Sequence, residues 1–491
     1  MRQSYIKLPL KTLLLLLFLC CNYSSLAQVG IGTTSPNSSS ILDVTSTDKG
    51  LLTPRMTSTE RIAIATPADG LLVYDTTESA FYYYKVSVWT RMDFEKRNNH
   101  KLIKSAADLS EELSNGGGSE YLLSSNTLYE INGTILLTQS INLNNAYIIG
   151  LDTNEDILVK TGGTMFVGTS GGSIKGLTLT APGGTIFNLS GSSSDNLVFR
   201  DAVVANSASV GTIQGFGLAF LSIVQFSGNT TGITYNNIDE LLLSNMGWLS
   251  TNSGTYETFT GSFGILEKQG GFSQVDGSAI GIDVSSNPVV ENGVLTAASF
   301  SGSSTQYVKR YSSGSYVGYN FDNSWTVDCP GIPVESDQVA SGNIYYNGAL
   351  TSGFAQTFSS GSGTDRNLTG NSGTNTTTAV NLLRMSSPQN NRLTYLGKKT
   401  RTFQINATVS ARGLTSVGNF YAFYIKKNGT NTLVETNTVM RVNDLLDVTS
   451  NAISGTVELA PGDYIEIWTQ RLSNSVISTN LAVFSLNLNI K

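Results

Sequence analysis

The chain is poor in the residues that most often do chemistry. One histidine, His100, and three cysteines occur in 491 residues. Cys20 and Cys21 lie in the N-terminal apolar segment, so only Cys329 follows it and no intrachain disulfide forms once that segment is removed. A single histidine excludes a multi-histidine metal site, and His100, in Lys96-Arg97-Asn98-Asn99-His100-Lys101, reads as a solvated linker residue. Cys329 beside Pro330 reads as a semi-buried thiol without a catalytic role. Charged residues make up 13% of the chain, about half the usual share. The formal charge is −6, and Lys and Arg are scattered without a basic block, which argues against nucleic acid as a partner. Beyond the first segment, no run is long and apolar enough to cross a bilayer as a helix.

What is abundant is Gly (49 residues), Ser, Thr, Asn and β-branched residues, a composition that favours strands and turns over helices. The length suggests roughly two to four structural units. Residues 1–27 have the parts of a secretory signal: Arg2, Lys7 and Lys11, then the apolar run Leu13 to Leu19, then Ser25-Leu26-Ala27. Cleavage is expected between Ala27 and Gln28. The bulky Leu19 before Cys20 argues against a lipidation site.

Residues 28–94 carry Val29-Gly30-Ile31-Gly32-Thr33-Thr34-Ser35-Pro36, then Gly50-Leu51-Leu52-Thr53-Pro54-Arg55-Met56-Thr57, then Gly70-Leu71-Leu72-Val73-Tyr74-Asp75-Thr76. Gly30 has no room for a preceding strand and Pro36 follows, so a phosphate-binding loop is rejected. Gly70–Tyr74 and Phe81–Tyr84 around a turn read as a β-hairpin. This motif order resembles the N-terminal module of a large family of secreted Gram-negative surface proteins, often followed by phage tail-fibre-like parts. The resemblance implies export to the surface but names no activity.

Residues 95–118 read as a linker and a short capping helix, with Ser105 and Asp108 as a capping box and Leu102, Ala106, Leu109 and Leu113 on one face. Over 119–330, short apolar runs such as Ala146–Gly150, Asp156–Val159, Gly172–Leu179 and Asn196–Phe199 alternate with turn residues at a wandering interval of about 20–25 residues. None can bury its apolar side chains alone, which points to a stacked solenoid, read as a right-handed parallel β-helix. It resembles the pectate-lyase-like and phage tailspike β-helices in this loose way, which brings in a polysaccharide lyase or glycoside hydrolase as the alternative function. Such an enzyme needs carboxylates brought together. The candidates are Asp152, Glu155 and Asp156; Asp195 with Arg200 and Asp201; and Asp239 with Glu240. Each has a plainer explanation. Asp152-Thr153-Asn154 is turn chemistry, the cluster lacks a calcium-loop spacing, and neighbours in one strand, such as Asp239 and Glu240, face opposite ways. No catalytic, cofactor or metal residue is assigned. The sequons at Asn132 and Asn229 are expected by chance.

Residues 331–391 read as a Gly/Ser/Thr/Asn-rich connection, with a flexible loop over 361–378. Residues 392–491 alternate with period two in Phe403–Val409, Phe420–Ile425, Tyr464–Trp468 and Leu481–Ile490, as a sandwich requires. Ala460-Pro461-Gly462-Asp463-Tyr464-Ile465-Glu466-Ile467 before a final apolar strand resembles the C1q/tumour-necrosis-factor-like jelly roll, which implies a homotrimer. The expected whole is an all-β, exported surface or fibre protein: a small N-terminal β module, a parallel β-helix and a jelly-roll sandwich. Its expected job is structural and adhesive, with a glycan or another surface as ligand.

Overall fold

The computed structural model describes Pro9, Lys11, Leu14 and residues 28–92, 97–361, 363–371, 377–473 and 477–491. The segment read as a secretory signal, Ala27 included, otherwise lies outside the described residues, as does part of the 361–378 stretch read as a loop. Two units separate at residue 97.

In the first unit, strands Val29–Ile31 and Leu42–Val44 pair in parallel. A four-stranded sheet follows, whose centre is the expected hairpin: Leu72 pairs with Tyr83 and Asp75 with Ala80. Its small core, Val73, Ala80 and Tyr82, is pinned by a polar knot. Asp75 is fully buried and accepts from Arg61 Nε (2.8 Å), Ser58 Oγ (2.8 Å) and the Thr77 and Glu78 N–H groups (2.9 and 3.0 Å). Arg61 in turn lies over the Tyr82 ring at 3.7 Å. Thr57 and Glu60 form a capping box that starts the helix Ser58–Ile62 and so aims Arg61 inward.

The second unit begins with a parallel β-solenoid of about nine turns. Its strands run from His100–Ile103 to Trp325–Asp328 and form three flanks, each turn pairing with the turns before and after it. One inward row runs Leu158, Leu179, Val204, Phe226, Trp248, and such rows fill the lumen with aliphatic and aromatic side chains. The corners repeat as strictly as the strands. Between the second and third flanks, Gly176, Asp201, Ile223, Asn245, Gly270 and Ala297 all have positive φ. Gly, Asn and Asp tolerate that region and Ile223 does not, so its corner is set by the neighbouring turns. At the next corner, Asn229 Nδ2 donates to Val204 O (2.9 Å) and Asn252 Nδ2 to Phe226 O (2.7 Å), a buried ladder that satisfies turn carbonyls.

Two boundaries expected from sequence are corrected. His100–Ile103 is a strand parallel to Leu128–Ile131, so the solenoid begins inside the stretch read as linker, and Leu102 is a strand residue rather than part of a helix face. His100 is accordingly not a free linker residue; its Nε2 lies 2.9 Å from Glu130 Oε2 on the next turn. The helical segment is Ala106–Leu109 followed by Ser110–Asn115, opened by Asp108 accepting from the Lys104 and Ser105 N–H groups. Leu109 joins the lumen core, and Glu112, buried, binds Lys101 Nζ (2.6 Å) and the Tyr129 hydroxyl (2.9 Å).

The second correction concerns 331–391. Ser341–Tyr346, Phe354–Phe358, Asp365–Asn367, Thr377–Leu383 and Met385–Ser386 are strands of the sandwich, and Ile344, Phe358, Leu368 (directly after the third of them) and Met385 share its core with Leu488, Leu481 and Ile467. One sheet orders Thr377–Leu383, Ser341–Tyr346, Thr479–Ile490, Arg401–Gly413, Thr449–Leu459; the other, Met385–Ser386, Leu393–Tyr395, Tyr464–Arg471, Phe420–Lys427, Asn431–Arg441. The sandwich also closes the last solenoid turn. Arg384, buried, donates to Trp325 O and to Glu335 O, and Lys398 Nζ reaches Ser324 O at 2.7 Å.

One ion pair is fully enclosed in the lumen: Lys268 Nζ and Glu257 Oε1 at 3.0 Å, with Lys268 Nζ 5.0 Å from the Tyr256 ring centroid. Burial pushes the Glu257 carboxyl above its ordinary range, and Lys268 pulls it partly back. Two predictions follow from these buried charges. Lys268→Met leaves Glu257 unpaired and should cost about 3–5 kcal/mol at neutral pH by urea unfolding. A carboxyl raised on folding contributes most below its unfolded value and loses that contribution as pH rises, so the variant's deficit should be smaller at pH near 4 than near 8. A deficit independent of pH would contradict this account.

Asp75 behaves oppositely. Burial opposes its charge, but Arg61 and the N–H and hydroxyl donors outweigh burial and lower it to about 2. Its stabilising contribution is complete above the ordinary value of 3.8 and is lost as pH falls towards about 2. Pepsin cleavage within residues 28–92, mapped by mass spectrometry, should therefore rise steeply between about pH 4 and pH 2. In Asp75→Asn it should already be high at the upper end of that range, and equal cleavage profiles would remove the knot's role.

Candidate functional site

The solenoid's first flank carries an open groove of about 500 Å³. Its origin is a repeated departure from alternation. On four turns two consecutive residues are buried, Met165-Phe166, Ile186-Phe187, Gly232-Ile233 and Tyr256-Glu257, and on the turn in the middle of this series the equivalent pair is the buried Val210 and the part-exposed Gly211. A strand with two inward neighbours cannot stay straight, and the outer surface is concave at this point, with the outward residues on either side forming two banks. Glycine at Gly211 and Gly232 is required by this packing, since a Cβ there would lie 1.9 Å from Phe187 O and from Tyr256 O respectively.

The banks are ladders of hydroxyl and amide groups. On one, Thr164 pairs with Thr185, Thr185 with Ser209 and Ser209 with Thr231, and Thr255 follows by the register of Ile233 with Glu257. On the other, Val167, Asn188, Thr212, Thr234 and Thr258 stand in register. No hydrogen bond among the described residues uses the hydroxyls of Thr185, Thr212, Thr234 or Thr258. Neither bank nor floor carries an exposed charge or a titratable group: Glu257 belongs to the floor segment but points into the lumen and is fully buried.

The carboxylates weighed from sequence do not gather here. Asp156 is buried and accepts from the Leu151, Gly133 and Asp152 N–H groups at 2.7, 2.8 and 3.1 Å. Burial opposes its charge, and these donors nevertheless hold the carboxyl below its ordinary value. Asp152 caps its own turn through the Asn154 N–H at 2.8 Å, and Glu155 points to solvent. Asp195 accepts from the Ser192 N–H (2.9 Å), while Arg200 and Asp201 touch each other at 3.9 Å at a corner. Asp239 and Glu240 are both exposed, contrary to the expectation of opposite faces, because alternation breaks between them: Ile238 before and Leu241 after both face the lumen. Cys329 is free and buried, and burial pushes its thiol up. Among the described residues no three His, Cys, Asp or Glu side chains cluster as a metal site would need, and no helix is long and apolar enough to cross a membrane.

A second groove of about 480 Å³ follows the strained corner, lined by Asp201, Val203, Ile223, Gln225, Asn245 and Phe272 among others. It is more apolar, and Ile223 and Phe272 are partly exposed in it. Sequence reasoning missed both grooves. The Thr-x-x-Thr spacing of Thr231–Thr234 and Thr255–Thr258, echoed in Ser209–Thr212, was the signal for the first.

Residues 30–105 match the family model described as a phage tail like trimerisation region. The match supports a tail-fibre-like architecture and self-association as a homotrimer. No curated protein matches the chain in sequence. Among solved structures, the PRD1 vertex protein P5 aligns over 31% of this chain and 94% of its own at 13% identity, with a TM-score of 0.20, too loose a likeness to carry an argument.

Proposed function

We propose that the chain is an exported, homotrimeric fibre subunit of a Gram-negative cell surface that binds a glycan or another surface rather than transforming a substrate. The observation that carries this reading is the trimerisation-region match over residues 30–105, on a unit that exposes apolar side chains out of proportion to its core. Ile41, Leu51, Leu52, Ile62, Val86 and Val88 are each well over half exposed, whereas the buried core of that unit is Val73, Ala80 and Tyr82. Surface of that kind marks an interface. The order of strands in the two sandwich sheets supports the C1q-like jelly-roll reading of the C-terminus, and with it a second point of threefold contact. The solenoid then serves as a stiff spacer, since every turn is locked in register to the turns on either side of it.

Export rests on the residues before Gln28, with cleavage after Ala27 as the expected processing step. The uncharged lining of the main groove favours binding over hydrolysis, which needs a pair of carboxyl groups at the substrate.

Light scattering on a sizing column should give three times the chain mass for the protein from Gln28 onwards. Leu51→Glu with Leu52→Glu should shift the population towards lower mass, because charge is placed in the apolar contact. A monomer for the unmodified protein at micromolar concentration would remove the fibre reading.

A further inference from the structure

We propose that the hydroxyl-lined groove on the first solenoid flank is a binding site for a neutral, linear, extended polysaccharide lying along the solenoid axis, one sugar to each turn. The proposal deepens the adhesive reading above and rests on it for its biological setting, though the site is argued from geometry alone.

Three features select this ligand. The first is repeat length. Equivalent groups on successive turns are about 4.8 Å apart, the spacing of paired strands. An equatorially linked sugar chain advances by a similar length per residue, so successive turns meet successive sugars, and because neighbouring sugars in such a chain are flipped, equivalent ligand oxygens return on every second turn along the row Thr185, Ser209, Thr231 and Thr255. The second is chemistry. The banks offer groups that both donate and accept, Thr185, Thr212, Thr234 and Thr258 on hydroxyl and Asn188 on amide, and these hydroxyls are not used within the chain. A polyhydroxylated chain satisfies such groups turn after turn, whereas an apolar ligand would leave them unpaired. A peptide strand would seek an open sheet edge, and this is a sheet face. The third is charge. No cation lines the groove and the chain carries a formal charge of −6, so uronate-rich polymers and nucleic acids are disfavoured.

The floor supports the same conclusion. Gly211 and Gly232 leave backbone at the bottom of the trough, so the ring face of a sugar can descend between the banks without meeting a side chain there. Discrimination then falls to the outward rows alone, and changing them leaves the lumen packing untouched.

The test is affinity electrophoresis of the intact protein from Gln28 onwards through gels containing glucomannan, hydroxyethyl cellulose or polygalacturonate. Retardation is expected in one or both neutral polymers and not in polygalacturonate. The triple variant Thr212→Val, Thr234→Val, Thr258→Val keeps side-chain size and removes three hydroxyls from one bank. It should weaken retardation at least about tenfold, the size expected for losing several neutral hydrogen bonds. Thr234→Tyr, which fills the trough from an outward position, should do the same. Thr180→Val, on the third flank, should change nothing. Native mass is measured on every variant so that a failed fold is not mistaken for a lost site. If neutral polymers retard the protein and both groove variants bind as well as the original, the groove proposal is overturned while the adhesive reading stands. If polygalacturonate binds best, or if a correctly assembled trimer is retarded by neither neutral polymer, the ligand class assigned to this groove is wrong. Loss of trimer in the unmodified protein would instead strike at the fibre reading and leave the groove to be judged by the gels.

Discussion

Everything in the second unit depends on parallel register between turns. No turn holds enough apolar surface to stand alone, so each is stable only when its inward residues stack on those of its neighbours. Register, once fixed along the strands, is also fixed at the corners. That is why Asp201, Asn245 and Gly270 share a left-handed conformation, and why Ile223 is held in it despite its branched side chain. The abundance of Gly and Asn in the sequence is thus a corner requirement more than a sign of flexible loops. The same constraint aligns whatever points outward, and a ladder of threonines on a flank needs no further scaffold to be straight.

A solenoid's open ends are its weakest points, and the two ends are closed by different means. At the first, a short helical segment lays Leu109 on the lumen, while Glu112, Lys101 and Tyr129 satisfy one another beneath it. At the last, the sandwich supplies Arg384, whose guanidinium takes up the carbonyls of Trp325 and Glu335. The sandwich is therefore a cap as well as a domain. The stretch between them cannot be a free connection, since its strands complete the sandwich core and place Arg384 at the seam.

How much of this was legible in the sequence differs from part to part. The solenoid was visible because short β-branched runs between turn residues have no other stable use, and the hairpin of Leu72–Asp75 with Ala80–Lys85 because its alternation brackets an obvious turn. The strands Ser341–Tyr346 and Thr377–Leu383 were hidden by composition. They flank a long stretch rich in Gly, Ser, Thr and Asn, and their apolar residues, such as Ile344 and Ala379, find a core only against Leu488 and its neighbours. His100 looked solvated for a similar reason, since its partner Glu130 lies a full turn away in sequence. The carboxylates fared better. Asp152, Asp156 and Asp195 proved to be turn and cap residues, because local hydrogen bonding is what short spacing encodes.

The groove and the buried ion pair share one cause, which sequence alternation alone could not reveal. The trough on the outside lies over one register row of the first flank where inward and outward residues stop alternating. Four of the turns place an apolar side chain or glycine in that row, Phe166, Phe187, Gly211 and Ile233. The fifth places Glu257 there, fully enclosed, and Lys268 reaches it from the second flank of the same turn. Burying that carboxylate alone would be costly, and the pair offsets the cost without enlarging the lumen. The outer wall gains the same concavity on this turn as on its neighbours, with Thr255 and Thr258 on the banks. An uncharged outer face and a charged interior are thus opposite sides of one strand, and the strand's kink is what keeps them apart.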